Sequence, residues 1–146
     1  MKLVKYRLGA GVLAAALLGP AAVWAADGGA RLQPQSQGTV SFVSGGVGDD
    51  EAAQIKQMRS GYPLELLFVT KGNPNQYLAD VKVKIADGGG KVVLDTTASG
   101  PFLLAKMPPG RYAITADSDG SVKRQTVQVG AGKPQRVVFV WPQAGE

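Results

Sequence analysis

Three adjacent acids, Asp49, Asp50 and Glu51, stand directly behind Gly45-Gly46-Val47-Gly48, and here the 146-residue chain comes nearest to a recognisable ligand loop. A glycine-rich turn that opens a helix is the frame of a phosphate site. Such a loop ends in Gly-Lys-Ser/Thr, whereas three carboxylates at a helix N-terminus repel phosphate. Adjacent carboxylates also lack the alternating spacing that wraps a calcium ion. As helix starters they make sense: Asp49 or Asp50 can cap free backbone N–H groups, and all three suit the positive end of the helix dipole. Gly45, Gly46, Asp49, Asp50 and Glu51 are therefore candidates for contact with a partner protein, not for catalysis.

The remaining reactive types are few. The chain has no histidine and no cysteine, which removes the usual zinc, copper and iron ligands and every triad or dyad built on an imidazole or thiolate. Ser-x-x-Lys does not occur. Asp87, Asp117 and Asp119 fall in turn sequences that already account for them. We expect no catalytic residue, no metal and no cofactor. Lys82, Lys84, Lys123 and Arg124 form either a basic face for an anionic surface or, more simply, solvated strand faces that discourage aggregation. Tyr62, Tyr77 and Trp141 could stack on a glycan or small ligand, although Phe139 and Trp141 also suit a core or its rim.

The chain start bears on where such residues would act. Lys2, Lys5 and Arg7 precede an apolar run over residues 8–18, Gly19-Pro20 breaks it, and Val23-Trp24-Ala25 offers a small-residue cleavage site. That pattern predicts an export signal over residues 1–25, too short to span a bilayer. With no cysteine to carry a lipid, the expected location is the periplasm, with extracellular release as the alternative, and no membrane span after cleavage. The full chain holds 16 Lys and Arg against 11 acids, and loss of the three cations in the signal leaves 13 against 11, a net of +2. Such a balance makes no case for a nucleic-acid partner.

These residues need elements to position them. Residues 26–37 are polar and rich in Gly and Gln and read as a flexible leader; residues 38–142 form one domain, and 143–146 a tail. Thr39 to Val43 alternates as a short strand. Ala52, Ile55 and Met58 recur at helical spacing, and Gly61 and Pro63 stop that helix. Beyond it, seven short apolar or alternating runs are separated by turn clusters such as Lys71-Gly72-Asn73-Pro74, Asp87-Gly88-Gly89-Gly90 and Asp117-Ser118-Asp119-Gly120. The pattern predicts a mainly β, antiparallel sandwich of about seven or eight strands with one short N-terminal helix.

One turn is more telling than the rest. Gly100-Pro101-Phe102-Leu103-Leu104 runs through Met107 into Pro108-Pro109-Gly110-Arg111-Tyr112. The prolines fix φ, Gly110 supplies a left-handed position if the turn is type II, and Tyr112 begins an alternating strand. Pro108, Pro109, Gly110 and Tyr112 are read as a structural turn and corner, the hydroxyl bonding to backbone. The order of features from Tyr77 to Trp141 resembles the carboxypeptidase regulatory-like domain, a transthyretin-like β-sandwich. The carriers are the strand Ala79 to Ile85, Asp95-Thr96-Thr97, the Pro-Pro-Gly turn, Thr126-Val127-Gln128-Val129 and Val137-Val138-Phe139-Val140. The resemblance implies a seven-stranded Greek-key sandwich without catalysis of its own, a companion to enzymes, receptors or envelope machinery. It does not extend to transthyretin-related hydrolases, whose histidines and Tyr-Arg-Gly-Ser tail this chain lacks. The expected partner is another envelope protein, met at a sheet edge or at residues 44–59, with a glycan as the alternative.

Overall fold

The computed structural model describes residues 31–130 and 132–143. The export signal, the first part of the leader and the last residues of the tail lie outside them. The described residues are mainly β. Their elements are β1 (Gln35–Gln37), β2 (Val40–Gly45), α1 (Gly48–Met58) with a 3-10 turn at Arg59–Gly61, β3 (Leu64–Thr70), β4 (Gln76–Tyr77) and β5 (Val81–Ala86). They continue with β6 (Val92–Ala98), β7 (Phe102–Lys106), β8 (Gly110–Ser118), β9 (Ser121–Val129) and β10 (Gln135–Trp141). One sheet runs β1-β2-β7-β3-β10, with β4 beside the far end of β3; the other runs β6-β5-β8-β9.

Alternation decides which side chains meet. In β5, Val81, Val83 and Ile85 are buried while Lys82 and Lys84 are exposed. They join Ile114 and Ala116 of β8 and face Leu64, Leu66 and Phe68 of β3 in one core fed by both sheets. Three aromatic rings anchor it, Phe68 lying 5.9 Å from Phe139 and 6.4 Å from Trp141.

β3 is apolar on both faces, so its outer face needs a cover as well. Leu67 and Val69 form a second cluster with Val43, Phe102, Leu104 and Ile55, against which Leu32, Met58 and Tyr62 pack. The helix supplies Ile55, which is fully buried. That burial contributes about 1.5–3 kcal/mol, and a three-turn helix, marginal when isolated, depends on it.

Four features depart from the reading of the sequence. β10 runs parallel to β3, pairing Gln135 with Leu64 and Trp141 with Thr70, so this sheet is mixed instead of antiparallel. Alternation specifies which face of a strand is buried and carries no information on direction. Direction follows from the crossing after β9, which brings the chain back beside the start of β3, where the Gln135 N–H donates to the Pro63 carbonyl at 2.8 Å. Residues 35–37, assigned by composition to a flexible leader, are a strand paired with β2, and upstream of them the Leu32 N–H donates to Gln54 at 2.8 Å. With β1 and the two-residue β4, the described residues hold ten strands where seven or eight were expected. Gly110 has φ +155°, not the roughly +80° of a type II turn.

Candidate functional site

The glycine-rich segment is explained first by packing. Gly45 is buried in β2, and a Cβ there would meet the Leu32 methyls. Gly46 has φ +106° and lies under the Phe102 ring, where a Cβ would come within 2.6 Å of it. The N–H groups of Gly46 and Val47 donate to one Glu51 carboxylate oxygen at 3.1 and 3.2 Å. The start of α1 is thus tied down by Glu51, where the sequence pointed to Asp49 or Asp50. Those two acids stand exposed on the first turn, beside Val47, which is also exposed.

The same ring leads to an apolar patch. Phe102 contacts Tyr77 at 6.0 Å between centroids. Tyr77 and Val140 both pair with Val69, one from β4 and one from β10, so the three side chains form a cross-strand row. In the next row of that face Val138 pairs with Leu67. The helix covers the β2, β7 and β3 part of this outer face and leaves its margin open. Tyr77 is 66% exposed, Val138 39% and Val140 41%.

Charged groups nearby have structural work. Glu65, nearly buried in β3, accepts from the Arg59 guanidinium at 3.1 Å and lies 3.6 Å from that of Arg136, through the same oxygen. The Arg59 Nε is buried without a hydrogen-bond partner. Nothing in the sequence marks this triad except an acid inside an otherwise apolar strand. Asp87 accepts from the Gly89 and Lys91 N–H groups, and Asp117 from that of Gly120, which fixes two hairpins.

Tyr112 is where the Pro-Pro-Gly turn puts it. It is buried, and its hydroxyl donates to the Pro108 carbonyl at 2.6 Å. Loss of solvent, and secondarily the negative charge of Asp87, raise its pKa above the ordinary 10.0. Trp141 is also committed: it is buried among Phe68 and Phe139, and its indole N–H donates to the Ser121 carbonyl at 2.8 Å. It cannot stack on a glycan; Tyr62, half-buried, and Tyr77 remain. The basic face is diluted, because Lys84 pairs across strands with Asp95, and Lys82 with Asp117. Lys123 is not part of it, since it pairs with the core residue Ala116 and so faces the other side of that sheet.

Two glutamines join the sheets at their margins. The Gln37 amide both donates to the Asp95 carbonyl and accepts from the Asp95 N–H, each at 3.0 Å, as a strand partner would. On the opposite margin the Gln125 amide donates to the Val138 carbonyl at 2.9 Å. No protein-family model matches the chain, and no curated protein matches it.

Proposed function

We propose that this chain is a non-catalytic, exported β-sandwich module of the carboxypeptidase regulatory-like, Greek-key kind that binds another protein of the bacterial cell envelope. The observation that carries the reading is the open margin of the first sheet, where Tyr77, Val138 and Val140 stay exposed beside Phe102 and the Gly46 loop. Contiguous exposed apolar side chains rimmed by charge are typical of protein contact surfaces. Asp49 and Asp50 stand exposed on the first turn of α1, directly behind that loop. The surface is preferred over edge pairing because the Gln37 and Gln125 clips already occupy backbone groups at Asp95 and Val138.

In-cell crosslinking of the exported protein, followed by mass spectrometry, tests this. We expect one dominant envelope partner, lost in a Val138→Lys/Val140→Lys variant and kept in Lys82→Glu on the other sheet. Recovery of the same partner by both variants would remove the surface from consideration. The exposed Tyr77 ring also suits a glycan. Binding on a glycan array that disappears in Tyr77→Ala, with crosslinking unaffected, would favour that second reading.

A further inference from the structure

At the end of the fold away from the Tyr77–Val140 row, three chain segments meet around the starts of β3 and β10 and the end of β7. They enclose an open cleft of about 360 Å³. That volume lies in the range of small-ligand pockets, roughly 300–1,000 Å³. Its lining includes Tyr62, Pro63, Pro109 and Pro134, with the buried Met107 and Val129. Among the described residues two cations line it, Lys106 and Lys133, and no carboxylate does, and neither lysine has an ion-pair partner.

We propose that this cleft binds a small aromatic carboxylate, with the acid between Lys106 and Lys133 and the ring against the proline and tyrosine walls. The charge argument is direct: two lysines without an ion-pair partner on a mainly apolar lining leave a site that an anion neutralises and a cation cannot enter favourably. The choice of a flat, rigid body follows from the walls. Proline rings are held by the backbone, so the trough is largely preformed, and an aromatic ring has little rotamer freedom to lose on binding compared with an alkyl chain. Neither argument draws on the partner surface proposed above, which lies at the other end of the sheet.

The test titrates 4-biphenylcarboxylate into the folded protein and follows it by NMR, with 4-biphenylmethanol as the neutral control. We expect saturable shifts centred on Met107, Val129 and Gly130, and at least tenfold weaker binding of the alcohol. Lys106→Ala or Lys133→Ala should each weaken the acid by about three- to fivefold, as for exposed ion pairs, and the double variant by about tenfold. Gly130→Leu should block the cleft without unfolding the protein, because a Cβ there meets nothing within 4 Å and the backbone is not left-handed. Equal binding of acid and alcohol, shifts centred elsewhere, or an unchanged double-lysine variant would overturn the proposal. So would tighter binding of the acidic peptide acetyl-Glu-Pro-Glu-amide at the same residues, which would make the cleft a peptide groove.

Discussion

At Tyr112 a single hydroxyl ties the start of a strand to the turn before it. Removing it in Tyr112→Phe should cost about 1 kcal/mol, the net worth of one intramolecular hydrogen bond, read as a lower Tm with an unchanged fold. The pH dependence has a definite sign. Burial favours the neutral phenol, so its contribution is complete below pH 10.0, the unfolded value, and is lost as pH rises through the higher folded value. Stability of the wild type should therefore fall more steeply above pH 10 than that of Tyr112→Phe, and denaturation curves across that limb check it. This contact was legible because its acceptor, Pro108, lies only four residues before its donor and begins a Pro-Pro pair that leaves the chain little choice. The Gln37–Asp95 pair spans 58 residues, and no local spacing announces such a partner. Glu51 was legible as an acid at a helix start but not as the residue that closes the turn, because Asp49 and Asp50 compete for the role on sequence grounds.

Between elements, β2 and the approach to β7 are packed backbone to backbone. A Cβ on Gly100 would run into the backbone of Gly45, which no side-chain rearrangement can relieve. Gly100→Ala should cost about 1–3 kcal/mol or more by overpacking, visible as a lower denaturant midpoint. The margins offer a milder test. Gln37→Ala should cost about 1 kcal/mol and speed hydrogen exchange at the Asp95 amide, which loses its acceptor. An unchanged exchange rate would mean the clip contributes nothing. The strands themselves were readable because alternation and turn chemistry are local properties, as Val81 to Ile85 and its Asp87 hairpin illustrate. β1 was hidden by its composition: Gln35, Ser36 and Gln37 have no apolar face, and they form a strand only because β2 offers an unpaired edge.

For the molecule as a whole, the layers are unequal. One sheet has its second face partly covered by the helix and the other leaves that face open, so charged residues such as Lys82 and Asp95 concentrate on the open side. The parallel pairing of β3 with β10 was the least readable feature, since direction depends on how the chain crosses between sheets. It also has a temporal consequence. β10 brings Val137, Phe139 and Trp141 to the core, and its neighbour β3 is made more than sixty residues earlier. A chain synthesised from its N-terminus therefore keeps β3 without one neighbour, and the core without two of its three anchoring rings, until β10 emerges. Loop closure over such a separation is slow and comes late. A chain ending before Gln135 should accordingly show no cooperative unfolding transition by circular dichroism, and a cooperative one would mean β10 is dispensable. β10 thus acts as a timer, setting the moment at which the core can close.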